Sequence, residues 1–171
     1  MKQFAATMTV LIVTSVALSA QAKPRFAGHW TYQPDPRVAA PVSRSGDGRA
    51  DGRSGGGRFC SDECTITQDA TSLTVTWKRR TGEDQKTVYK LDGTKTTTTA
   101  SAGEFTITSK TKTTWNGATL TINSTTGISG TPATTRTDVS LDANGMLRVV
   151  VTSTPPGGGS PTSSTQLYRK Q

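Results

Sequence analysis

From residue 64 to residue 170 the chain alternates apolar side chains with hydroxyl or charged ones at a period of two. Leu73, Val75 and Trp77 alternate with Thr74, Thr76 and Lys78, and Phe105 and Ile107 with Thr106 and Thr108. Leu120 and Ile122 stand against Thr119 and Thr121, and Leu147, Val149 and Val151 against Arg148 and Val150. That period puts successive side chains on opposite faces of an extended backbone and is incompatible with an amphipathic helix. Threonine is β-branched and suits a pleated surface with one wet face. Turn residues break the alternation at Asp92-Gly93, Asn116-Gly117, Asp142 to Gly145 and Pro155 to Gly159, and Asn-Gly is the strongest hairpin signal among them. About ten strands follow, joined by hairpin-length connections, so sequential neighbours pair antiparallel in an up-and-down meander. Such a meander hides its edges by closing on itself. An all-β barrel of about 8–10 strands is the expected fold, and a β-sandwich is the alternative.

Composition agrees with short, half-buried strands. Ser and Thr exceed a quarter of the 171 residues, whereas hydrophobic residues make up 32%. That is too few for the continuous buried runs of a helical bundle or a doubly wound α/β enzyme. Part of the apolar content also lies in one place. Met1-Lys2 carries positive charge, Phe4 to Leu18 is apolar and uncharged, and Ser19 to Ala22 supplies small residues. Residues 1–22 read as a secretory signal peptide cleaved after Ala22. The remaining chain, 23–171, is expected to be one domain with about 28% apolar residues. The expected location is periplasmic or extracellular. No later segment approaches the length of a transmembrane helix.

Cys60 and Cys64 are the only cysteines, and in an oxidising compartment so close a pair reads as a disulfide. Metal binding is the alternative, because Asp62 and Glu63 lie between them, but a single histidine, His29, does not complete a usual zinc set. No metal or cofactor is expected. Residues 33–58 contain Pro34, Pro36 and Pro41 and no aromatic residue, and read as a flexible loop. Arg44, Arg49, Arg53 and Arg58 recur through its glycines, diluted by Asp47 and Asp51. Arginines so spaced can contact a polyanion by charge. The absence of interleaved aromatics disfavours nucleic acid, leaving an anionic envelope lipid or acidic polysaccharide, or a plain solvated spacer.

Phe26-Ala27-Gly28-His29-Trp30 resembles the Gly-x-Trp signature of the calycins, the lipocalins and fatty-acid-binding proteins, and the chain looks most like small exported bacterial lipocalin-like proteins. The resemblance implies that Gly28 and Trp30 close one end of the barrel, with Arg169 of the last strand packed across the indole. Fatty-acid-binding proteins end in Arg-x-Tyr-x-Lys and hold a carboxylate with the Arg and Tyr. Here the corresponding run is Gln166-Leu167-Tyr168-Arg169-Lys170, so glutamine replaces the arginine. The two alignments disagree over which of Tyr168 and Arg169 faces inward.

Catalytic signatures are missing: there is no Gly-x-Ser-x-Gly elbow, His-Glu-x-x-His or phosphate loop. An enzyme is not expected. The leading expectation is a carrier that binds a small apolar or amphipathic ligand non-covalently inside the barrel, with Trp77, Tyr89, Phe105, Trp115 and Tyr168 lining the cavity. Equally, those aromatics fill the barrel as a solid core. The alternative function is an interaction module that contacts a polyanion or protein partner through the basic loop.

Overall fold

The computed structural model describes residues 23–34, 58–78, 82–102, 105–128 and 131–171, excepting the side chains of residues 100–102, 105, 106, 128 and 131. Ten strands follow in chain order: β1 (Gly28–Gln33), β2 (Glu63–Gln68), β3 (Ser72–Lys78), β4 (Asp84–Lys90), β5 (Thr96–Ala102), β6 (Phe105–Asn116), β7 (Thr119–Ile128), β8 (Thr131–Leu141), β9 (Leu147–Thr154) and β10 (Thr162–Lys170). All belong to one antiparallel sheet of order β4-β3-β2-β1-β10-β9-β8-β7-β6-β5. The first and last strands meet in its middle, with Trp30 opposite Lys170 and Gln33 opposite Leu167. The sheet curls until β4 reaches β6, where the Thr113 hydroxyl donates to the Lys90 carbonyl. The result is a nearly closed all-β up-and-down barrel, and the sandwich alternative is not adopted. β4 and β5 are the two strands with a single hydrogen-bonded neighbour.

The turns after β2, β4, β6 and β8 lie at one end of the barrel, called the lower end below; β1 begins and β10 ends there too. Three of these turns are built on an aspartate that accepts backbone N–H groups. Asp69 bonds Thr71 and Ser72, Asp92 bonds Thr94, and Asp142 bonds Asn144 and Met146. Short carboxylate side chains do this well because they mimic a backbone turn. In the hairpins expected at Asn116-Gly117 and Asp142 to Gly145, Gly117 and Gly145 take φ of 57° and 74°, a region costly for residues with a Cβ.

Register decides which alternate set points inward. Ile66, Leu73, Val75, Leu120, Val139, Leu147 and Val149 are fully enclosed, together with Trp30 and Tyr168. The first strand starts at Gly28, two residues after Phe26. Gly28 has φ of 150°, and a Cβ there would lie 2.5 Å from Lys170 Cε, so only glycine fits where the chain bends into β1. Phe26 is thereby released from the ladder and turned into the barrel floor.

Candidate functional site

The interior is crossed by two short segments that flank β1 in space, each carrying a phenylalanine to the opposite wall. At the lower end, the Phe26 ring stacks on Trp115 of β6, with centroids 5.8 Å apart. Polar bonds fix its backbone: Phe26 N–H donates to Gln68 Oε1 at 2.7 Å, and Trp30 Nε1–H donates to the Phe26 carbonyl at 2.8 Å. Those bonds satisfy groups that burial would otherwise penalise. Lys23 lies over Trp115 at 5.6 Å and Lys170 over Trp30 at 5.9 Å. Gly28 and Trp30 thus sit at the closed lower end. The cation above the indole belongs to Lys170, because Arg169 lies opposite Thr31 and is exposed on the outer face. Parity explains this. Gln166 and Tyr168 are buried inside, and the residue that shares their side of β10 at the barrel floor is Lys170.

At the upper end the segment Arg58–Asp62 dips inward. Cys60 and Cys64 form a disulfide with Cα atoms 5.5 Å apart, and both are buried. The Phe59 ring stacks on Tyr89 of β4 at 6.0 Å. Its N–H donates to Gln166 Oε1 at 3.0 Å. The Tyr168 hydroxyl lies 3.0 Å from the Cys60 carbonyl and 2.8 Å from Gln166 Oε1, and its one proton serves one acceptor at a time. Burial pushes the phenols of both Tyr89 and Tyr168 up to about 12, since charge is disfavoured away from water.

Of the five side chains expected to line a cavity, Tyr89 and Trp115 are therefore covered by the chain's own phenylalanines, and Tyr168 bonds the chain's own backbone. Trp77 is half-buried against the core at the upper end of β3, and the Phe105 side chain lies outside the described residues. Above the aromatic layer the inner face of β6–β9 changes character. Ser109 pairs with Thr126 at 3.2 Å and Thr111 with Ser124 at 3.3 Å, while Ser153 Oγ and Trp115 Nε1 are enclosed without a hydrogen-bond partner.

The outer face has its own charge pattern. Arg44, Arg49 and Arg53 lie outside the described residues. Arg58 is engaged locally, its guanidinium 4.3 Å from the Tyr32 ring centroid and paired with Asp62. Lys78, Lys86, Lys90, Lys110, Lys112, Arg136 and Arg148 stand exposed on the strands themselves. The described carboxylates instead lie in turns or at strand ends, apart from Asp138. Asp138 bonds Thr121 and Arg136, at 2.6 Å and 2.9 Å. His29 is exposed on the outer face, its Nδ1 3.0 Å from Thr65 Oγ1. Among the described residues no three His, Cys, Asp or Glu side chains are grouped as a metal site needs. No helix among them is long and apolar enough to cross a membrane.

Sequence reasoning missed the two phenylalanines, the Gln166–Tyr168 clamp and the cationic wall. Phe59 carried a usable signal: it is an aromatic residue directly beside Cys60, at the end of a stretch without aromatics. No family model matches this chain, and no curated protein matches its sequence.

Proposed function

We propose that the chain is an exported, lipocalin-like interaction module that meets an anionic partner on the outside of its barrel. The carrying observation is the segregation of charge. Cations project from the strands, whereas the described carboxylates, Asp138 apart, lie in turns or at strand ends, and Asp69, Asp92 and Asp142 are engaged by turn hydrogen bonds. A wall of that kind attracts polyanions, and its field adds over many sites. The net charge of +8 for the full chain, of which Lys2 in the leader contributes one, supports the reading. The pattern of Met1 to Ala22 and the Cys60–Cys64 disulfide support export to an oxidising compartment. Retention of the protein on immobilised heparin and on anionic vesicles tests the proposal. Retention should fall steeply as salt rises from about 0.05 to 0.5 M, and Lys110→Gln/Lys112→Gln should elute earlier. Elution indifferent to salt overturns it.

One observation favours carriage of a small apolar or amphipathic ligand as a second reading. The Phe59 ring comes from a connecting segment, not from a strand, and Gln166 and Tyr168 hold that segment's backbone by polar bonds. A ligand with a polar head and an apolar tail offers the same bonds and would displace Phe59. Native mass spectrometry of freshly purified protein tests this. A co-purified small molecule, present in greater yield in Phe59→Ala, supports carriage, and a bare protein in both forms counts against it.

A further inference from the structure

We infer that the seam between β4 and β5 docks an extended, acidic polypeptide strand from a partner protein. The inference rests on the anionic-partner reading and narrows it to one class of macromolecule and one place on the barrel. β4 and β5 are the two ends of the hydrogen-bonded order, so each presents a row of backbone N–H and C=O groups along one side, of which the Lys90 carbonyl at the lower end of β4 already accepts from Thr113. Among the described residues no strand pairs with those sides. Such an edge is a template for one more strand. Among the described residues the seam is open as well as unpaired: Thr98 lies opposite Ser109, whose hydroxyl faces the interior, yet Thr98 is exposed.

The two edges differ in a way that selects the incoming strand. β5, Thr96–Ala102, has no charge, no proline and four successive threonines, which gives it strong strand preference and no built-in deterrent to pairing. β4 presents Lys86 and Lys90 outward on either side of Val88, the one large hydrophobic residue exposed among the described ones, at 46%. Lys95 stands at the foot of β5, and Lys110 and Lys112 project from β6 behind it. Among the described residues, the carboxylates nearest this field in the sheet lie at the ends of β4: Glu83 and Asp84 above, and Asp92 below, bonded to Thr94; Glu104, between β5 and β6, lies outside the described residues. The middle of the seam is therefore cationic, with one apolar contact.

A second copy of this chain would bring the same lysines to the same seam, and like charges set side by side disfavour that pairing. An acidic polysaccharide satisfies the lysines but leaves both backbone edges and Val88 unused. An extended peptide whose side chains on one face run acidic, apolar, acidic satisfies all three features. Its acidic face meets the lysines, its backbone continues the β5 ladder, and an apolar residue covers Val88.

The test uses the full chain and three probes: a peptide of about nine residues with Glu, Val and Glu at successive alternate positions and Thr between them, an N-methylated twin of the same sequence and charge, and a heparin oligosaccharide. Fluorescence anisotropy should show the peptide binding at least about tenfold tighter than its twin, because methylation removes the N–H groups that a ladder needs. Lys86→Gln/Lys90→Gln should weaken the peptide by about tenfold. On binding, hydrogen exchange should slow at the amides of β5. Equal binding of peptide and twin overturns the inference, since charge alone would then suffice. Heparin binding with neither peptide bound also overturns it while leaving the anionic-partner reading intact. If none of the three binds, both fall.

Discussion

Strands β6–β9 run the length of the barrel, and their inner faces differ between its two ends. Near the lower end they present Trp115, Leu120, Val139, Leu147 and Val149, four of the five fully enclosed or nearly so. Near the upper end the same strands present Ser109, Thr111, Ser124, Thr126, Thr135 and Ser153, all half-buried. The outer faces carry hydroxyls throughout. A chain with few apolar residues has concentrated them in one layer, and hydroxyl pairs bridge neighbouring strands over the rest. Cohesion of the two halves should differ in kind. Closely packed apolar contacts resist any loss of volume, whereas exchangeable hydroxyl pairs contribute a fraction of a kcal/mol each.

The sharpest way to break that comparison is to truncate one residue in each half. Leu147→Ala removes an enclosed side chain and should cost about 2–5 kcal/mol. Ser124→Ala removes one partner of the Thr111 pair and should cost under about 1 kcal/mol. Urea midpoints of the two variants at equal m-values check the contrast. Similar losses would show that the upper half is packed like the lower.

Next in size is the staple that holds Phe59, which enters from the upper ends of β1 and β2, against Tyr89 and Gln166. Cys60→Ala/Cys64→Ala opens a loop of sequence separation four, and so small a loop should contribute about 2 kcal/mol. The variant and the wild type treated with dithiothreitol should show the same melting temperature. A variant as stable as the oxidised wild type would mean that Gln166 and Tyr168 hold the segment unaided.

Alkaline titration reaches the middle of the barrel. Tyr89 and Tyr168 have folded-state values of about 12 against an ordinary 10.0, so the folded state holds its phenolic protons longer than the unfolded one. Stability should therefore be full below about pH 10 and be lost as pH rises towards 12. Tyr89→Phe keeps the ring against Phe59 and should flatten part of that loss. An unchanged alkaline slope would show that the Tyr89 hydroxyl is wet.

What was legible in the sequence follows the same division. Where Leu73, Val75 or Leu147 and Val149 alternate with polar residues, both the strand and its inward face could be read, because the two parities differ in chemistry. In Ser109–Thr113 of β6, Asn123–Thr126 of β7 and Thr134–Thr137 of β8 both parities are hydroxyl, amide or charged, so the strands were legible and their inner faces were not. In β10, Gln166, Leu167 and Tyr168 place apolar surface on both parities, and only pairing with β1 and β9 shows Tyr168 inside and Arg169 outside. Phe26 and Phe59 escaped notice because they lie outside any strand and act across the barrel, where local periodicity carries no information. The β4–β5 seam depends on how the sheet curls, a property of the whole molecule.

The smallest expected effect concerns the lower turns. Hydrogen bonds from the Ser72 hydroxyl, and then from the Thr71 and Ser72 backbone and the Thr71 hydroxyl, hold the Asp69 carboxyl well below its ordinary 3.8. A folded-state value below the unfolded one gives stability that is present above about pH 4 and is lost as pH falls through the carboxylate range. Asp69 is exposed, so solvent screens the effect and its size should be slight. Asp69→Asn keeps one acceptor oxygen and removes the charge. Its melting temperature should sit just below wild type at about pH 6 and converge with it towards about pH 2. A gap that persists unchanged into acid would assign the turn's preference for aspartate to shape, with no contribution from charge.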